Sequence, residues 1–249
     1  MKTTELIIQD LFSPQLLVKA EDFLLVYKPP KMHSSPGKGK SLVEWIAVFC
    51  PELKDLNNER GLIHRLDYET QGLLLFSRNQ RAFEKLQEEQ AQGLLIKDYK
   101  ALVSKLEKLP QGFPPYTGEL FSGTFPQIIK SYFRPFGPGR IEVRPLEEGR
   151  DQHQKKTNKV LYCTEILEQS MSSHEGILRL SLRINRGFRH QLRCHLAWAG
   201  FPILNDPLYS KRNEGKGFLG LRAEGIQFVD PSSGEPLRFV LPPLVLEDV

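Results

Sequence analysis

The sequence predicts an α+β fold: a mixed, mainly antiparallel sheet core flanked by short helices and loops. Three observations lead there. The longest apolar runs span only four to six residues, the length of buried strands. The chain carries 18 Pro and 19 Gly in 249 residues, so turns are frequent and a bundle of long helices is excluded. Leu178, Leu180, Leu182 and Ile184 alternate with polar residues, which marks a half-buried strand.

The elements follow in order. Phe23 to Tyr27 reads as a buried strand ending at Lys28-Pro29-Pro30, and a lysine-rich loop comes next. Ser41-Leu42-Val43-Glu44 has the form of a capping box, opening a short helix with Val43, Ile46 and Ala47 inward. Leu73 to Phe76 is a second apolar strand. Asn79 caps a second helix with Phe83 and Leu86 on its inner face, and Gly93 ends it.

Leu94 to Val103 reads as a strand, and residues 110–139, rich in Pro, Gly and aromatics, as hairpins or loops. Asn185-Arg186-Gly187 turns into a helix of about ten residues that ends at Gly200. On it Leu192, His195, Leu196 and Ala199 are expected on one face, Arg189 and Arg193 on another. Gly225 to Val229 and Leu237 to Val240 flank a turn-rich loop and form a closing hairpin.

Composition narrows the class further. Hydrophobic residues at 40% and charged residues at 26% give a globular balance, and the chain is long enough to bury a core without covalent staples. Cys50, Cys163 and Cys194 form no C-x-x-C pair, so neither a disulfide framework nor a thiolate zinc site is indicated. The first residues lack a secretory pattern, and no apolar run reaches membrane-spanning length. A soluble, cytoplasmic, monomeric protein is expected.

Net charge is only +4, but its distribution is uneven. Lys28, Lys31, Lys38 and Lys40 fall in a stretch without acids, as do Arg183, Arg186, Arg189 and Arg193. Either the two stretches form a basic face for a polyanion, or they are ordinary solvated surface.

Two motifs point away from cofactors. Gly39-Lys40-Ser41 resembles the end of a phosphate-binding loop, but the pattern needs Gly at position 34, which is Ser34. His190 and His195 are five apart with no acid close by, so zinc ligation from one helical face is not indicated. His195 reads as a core histidine and His190 as a turn or ligand-facing group. No metal or cofactor is expected.

The segment Gly61 to Leu75 carries most chemistry. It sets Asp67 on a loop two residues after Arg65 and just before a buried strand. A carboxylate beside a cation keeps its charge, as a nucleophile must. The plainer reading is an Asp that stabilises a turn.

His64-Arg65-Leu66-Asp67, followed by Thr70, Gly72 and Leu73 to Leu75, resembles the signature of RluA-type RNA pseudouridine synthases. Other stretches fall in that family's order. Leu25 to Pro30 with Met32-His33 resembles its early strand and Lys-Pro turn, and Asp98 to Val103 its tyrosine strand. His190 to Leu196, then Gly200, Pro202-Ile203, Asp206 and Tyr209, resembles its arginine helix, and Phe228 to Pro231 its terminal hairpin. The likeness runs from about residue 20 to 243. Three departures stand out: Gln71 for a small serine, Arg186-Gly187-Phe188-Arg189 for Gly-Arg-Thr, and Asn205 for the glycine before Asp206. Asn tolerates the left-handed conformation such a turn needs.

The resemblance implies one catalytic domain over residues 1–249, with too few residues before the first strand for an S4-type RNA-binding domain. It implies isomerisation of uridine to pseudouridine in rRNA or tRNA, without cofactor. Asp67 would be the nucleophile, Tyr99 would stack on the displaced base, and Arg193 would pair with Asp67. The expected RNA-binding set is His64, Arg65, Lys28, Lys38, Arg186, Arg189 and His190. The alternatives are a non-catalytic RNA-binding protein, which has no use for Asp67, Tyr99 and Arg193 together, and a nucleotide hydrolase using Lys40.

Overall fold

The computed structural model describes residues 1–37, 39–106, 108–118, 120, 121, 123–146, 160–210 and 217–243. In chain order the elements are β1 (Thr3–Glu5), β2 (Gln15–Lys19), β3 (Phe23–Lys28), α1 (Leu42–Phe49), β4 (Gln71–Ser77), α2 (Gln80–Gln92) and β5 (Ile96–Ser104). There follow β6 (Gln127–Phe136), β7 (Glu142–Leu146), β8 (Tyr162–Met171), β9 (Ile177–Ile184), α3 (Gln191–Trp198), β10 (Leu221–Val229) and β11 (Pro236–Val240). The fold is the expected α+β class, mixed and mainly antiparallel with short helices. Among the described residues no helix is long and apolar enough to cross a membrane.

The chain divides into two compact units, Met1–Asp98 with the segment from Arg222, and Tyr99–Leu221. In the first unit β3 lies antiparallel between β2 and β4. β4 runs parallel to β10, which turns back into β11, and β1 adds parallel to β11. Every residue of β3 and β4 is buried, which explains why both read as continuous apolar runs rather than alternating ones. Leu86 and Phe83 of α2 pack against Phe23, Leu25, Leu75, Ile226 and Phe228.

Both helix starts are built as the sequence predicts. Ser41 Oγ accepts from Glu44 N at 3.2 Å, and Glu44 Oε2 accepts from Ser41 N at 3.2 Å. Asn79 Oδ1 accepts from Ala82 N at 2.9 Å, and Gly93 closes α2 with φ 76°. Such caps are each worth about 1 kcal/mol. Gly72 is required where β4 meets β10: a Cβ there would lie 2.2 Å from the Ala223 carbonyl oxygen.

In the second unit β6 pairs antiparallel with β7 and β8, and β8 with β9. The region read as hairpins or loops holds, from Gln127 onward, the first strand of a hairpin, β6, which turns back into β7. A correction concerns α3. It has eight residues and no solvent face, since Gln191 through Trp198 are all buried. Arg189 lies before the helix, exposed, and does not share a face with buried Arg193.

The buried polar groups of α3 explain how the unit tolerates that. His195 Nδ1 lies 2.8 Å from Thr164 Oγ1 of β8 and its Nε2 lies 2.9 Å from Ser131 Oγ of β6. Gln191 Nε2 donates to the Cys163 carbonyl at 2.8 Å, and its Oε1 accepts from Phe188 N at 3.0 Å. Phe188 stacks on Phe133 at 5.1 Å. Asn205 takes a left-handed φ of 57°, as expected.

Candidate active site

The loop that carries Asp67 is held from both sides. Ser34 Oγ donates to the Leu66 carbonyl at 2.8 Å and accepts from Leu66 N at 3.0 Å. On the other flank the Tyr68 carbonyl accepts from Met32 N at 3.2 Å and from Lys28 Nζ at 3.3 Å. The His33 and Tyr68 rings meet at 4.7 Å. Asp67 itself closes a turn, its carbonyl accepting from Thr70 N at 3.1 Å, and its side chain is half-buried. With the residues before and after it tied to the Lys-Pro loop, the backbone at Asp67 is held in place, which contributes to pre-organising a reacting group.

Lys28 is a correction to the expected set of exposed basic contacts. It is wholly buried, and its ammonium donates to the carbonyls of Pro29, Met32 and Tyr68 at 3.0, 2.9 and 3.3 Å. Burial draws its pKa down to about 7, against the opposing pull of the Asp67 and Glu69 carboxylates. Three carbonyl acceptors suit an ammonium, which has three N–H bonds to give. Lys28 therefore anchors the Asp67 loop from beneath and does not present a charge to a ligand.

The other expected residues separate clearly. Arg65 projects outward, its side chain 67% exposed and 3.6 Å from Glu59. His64, one residue earlier, has both ring nitrogens buried and without hydrogen-bond partner. Lys38 lies outside the described residues. Tyr99 is 6% exposed on β5, in the second unit.

Arg186 and Arg189 are exposed, and Arg189 Nη2 donates to the carbonyls of Arg140 and Glu142. His190 takes a left-handed φ of 55° just before α3, its Nδ1 3.2 Å from Tyr209 Oη.

Arg193 shows what sequence reasoning missed. It is 1% exposed, and its Nε and Nη2 donate to Asp206 Oδ2 and Oδ1 at 2.8 and 2.9 Å. Its guanidinium also lies 5.7 Å from the centre of the Tyr209 ring. Asp206 Oδ1 additionally accepts from Leu208 N and Tyr209 N. Asp206 thus fixes both the arginine and the turn after α3, a role its place in the motif did not reveal.

The nucleotide-hydrolase reading, which used Lys40, loses the hydroxyl next to it. Ser41, which would have to serve a phosphate-bound cation, donates its hydroxyl to Glu44 Oε2 at 2.9 Å as part of the helix cap. Among the described residues no cluster of His, Cys, Asp or Glu could hold a metal ion.

A family model described as RNA pseudouridylate synthase matches residues 22–198. An uncharacterised RNA pseudouridine synthase of Bacillus subtilis is 26% identical over 229 residues, covering 89% of this chain and 66% of that protein. Ribosomal large subunit pseudouridine synthase C of Escherichia coli K12 is 25% identical over 244 residues, covering 91% and 66%. The chain thus spans just under two thirds of the length of these relatives. Among solved structures, human RNA pseudouridylate synthase domain containing 1 superposes with a TM-score of 0.64 at 18% identity, covering 95% of this chain and 86% of the other. Human RNA pseudouridylate synthase domain containing 4 gives 0.62 at 17%, covering 92% and 88%. These two likenesses speak for the fold.

Proposed function

The chain belongs to the RNA pseudouridylate synthase family, and from that premise we propose that it isomerises uridine to pseudouridine in structured RNA. The N-glycosidic bond breaks, the uracil turns, and C5 bonds to C1′ of the same ribose while C5 gives up its proton and N1 takes one up. Relatives named for the large ribosomal subunit make rRNA the first substrate to try, with tRNA second. The observation that carries the reading is the Asp67 loop, clamped through Leu66 and Tyr68 by Ser34, Met32 and Lys28.

In this reading Asp67 is the nucleophile, attacking the uracil ring or C1′. Breaking the glycosidic bond develops positive charge at C1′, which a fixed carboxylate stabilises, as in glycosidases. Tyr99 stacks on the displaced base, and Arg193, aimed by Asp206, balances the Asp67 charge. A base stacked in a helix hides its glycosidic bond, so the uridine must be flipped out at a cost of a few kcal/mol. Arg65, Arg186, Arg189, His190 and Lys38 offset that cost through the RNA backbone. No cofactor enters the scheme, and a monomer acting in the cytoplasm fits it.

Mapping pseudouridine in cellular rRNA and tRNA, with and without the gene, tests this. At least one site should vanish on deletion and return when the gene is restored. An unchanged map would contradict the proposal.

A further inference from the structure

The β6–β7 hairpin of the second unit gathers positive charge that the scheme above does not use. Residues 127–146 contain Lys130, Arg134, Arg140 and Arg144 against a single acid, Glu142. Ile129, Ser131, Phe133 and Val143 are buried, so the alternate positions Arg134, Phe136, Glu142 and Arg144 share the outer face. On that face Arg134 and Arg144 are direct cross-strand partners in the register. Side chains so paired start about 5 Å apart at Cβ, and like charges there destabilise the hairpin. Arg140, at the turn between the strands, is exposed. It holds a left-handed φ of 56°, which an L side chain adopts only at a cost.

Phe136 organises these arginines. The Arg144 guanidinium lies 3.2 Å from the centre of its ring and that of Arg134 5.8 Å, close enough for the ring face to attract both. Arg144 Nη1 also donates to the Gly112 carbonyl at 3.2 Å. Burial draws the Arg144 pKa below its ordinary value, with Glu142 opposing the shift and the Arg134 charge adding to it. Guanidinium groups nonetheless keep their charge in proteins. Groups held in this way lose little freedom on meeting an anion.

The hairpin is tied to residues that the isomerase reading already sets on RNA. Arg189 Nη2 donates to the carbonyls of Arg140 and Glu142, the latter at 3.1 Å. The hairpin tip is thereby joined to the exposed segment that carries Arg186 and Arg189. We propose that the β6–β7 hairpin is a further RNA contact, with Arg134 and Arg140 meeting phosphodiester oxygens and Phe136, steadied by Arg144, orienting Arg134. The identity of the ligand rests on the isomerase reading. The two arginines extend the charge of Arg186 and Arg189, which suits a continuous polyanionic backbone.

The test uses the full chain and in-vitro transcripts of large-subunit rRNA and tRNA carrying 5-tritiated uridine. It compares wild type with the double variants Arg134→Gln/Arg140→Gln and Arg134→Lys/Arg140→Lys. Affinity as a function of salt, thermal midpoint, and single-turnover tritium release at saturating RNA are read. The Gln pair should reduce the slope of log affinity against log salt by about two, one for each lost phosphate contact. Its affinity at physiological salt should fall about tenfold, alike on modified and unmodified transcripts. Midpoint and saturated rate should not change. The Lys pair should keep the wild-type slope and most of the affinity, because counterion release follows charge.

A Gln pair with the wild-type slope overturns the inference. So does a loss of affinity that comes with a lowered midpoint or that the Lys pair shares, because the arginines then serve the fold. Wild type that binds these transcripts yet releases no tritium from any of them overturns the isomerase reading instead. Wild type that binds none of them overturns both.

Discussion

Arg193 and Asp206 face each other through two parallel hydrogen bonds, Nε to Oδ2 at 2.8 Å and Nη2 to Oδ1 at 2.9 Å, with both side chains at most 1% exposed. The guanidinium is thereby locked in one orientation. Removing one member of a buried pair leaves the other charge uncompensated, at a cost of about 3–5 kcal/mol. Asp206→Asn is therefore expected to lower unfolding stability by about that amount, read from urea melts. A loss under about 1 kcal/mol would show that the pair contributes little to the fold.

Ser34 makes a narrower prediction. Its hydroxyl is the partner of both the N–H and the carbonyl of Leu66, the residue before Asp67. Ser34→Ala should cost about 1–3 kcal/mol through two unpaired backbone groups. It should also slow saturated turnover more than it weakens RNA binding, because Asp67 loses its fixed position. Equal effects on both would contradict a positioning role.

Acid should destabilise the protein through His195. Burial brings its pKa to about 3 in the folded chain, from an ordinary value of 6.5. Below about pH 6.5 the unfolded chain binds a proton that the folded chain refuses, so stability falls as pH falls towards 3. The slope approaches about 1.4 kcal/mol per pH unit. His195→Gln should remove this increment from urea melts taken between pH 6 and 4. An unchanged slope would mean the folded imidazole protonates normally.

Tyr99→Phe keeps the ring and loses the hydroxyl, while Tyr99→Leu loses both. Phe should retain RNA binding and slow isomerisation, and Leu should damage both. Wild-type tritium release by Leu would reduce Tyr99 to a strand residue.

Where sequence and structure agree, the signal was local. The capping box at Ser41, the Asn79 cap and the left-handed Asn205 are each decided within a few residues. β6 and β8 were not legible because their inward positions include Ser131 and Thr164, which interrupt the apolar alternation. Those hydroxyls are there for His195, a partner 64 and 31 residues away. α3 was misread for the same reason: Arg193 looks like a surface residue until Asp206 is placed beside it, whereas His195, read as a core histidine, is buried on Ser131 and Thr164. Lys28 looked like a ligand contact because charge in a sequence does not reveal burial.

The central claim is that Asp67 attacks the nucleotide. A turn aspartate can be replaced by asparagine at small cost, since both side chains suit turns. A nucleophile cannot, because the neutral amide has almost no power to attack an electron-poor carbon. The decisive measurement is pseudouridine formed by purified Asp67→Asn on a transcript that wild type modifies, with thermal midpoint and RNA affinity in parallel. The account predicts a near-wild-type midpoint, equal or tighter binding, and no detectable pseudouridine. Near-normal turnover by the well-folded variant would contradict it.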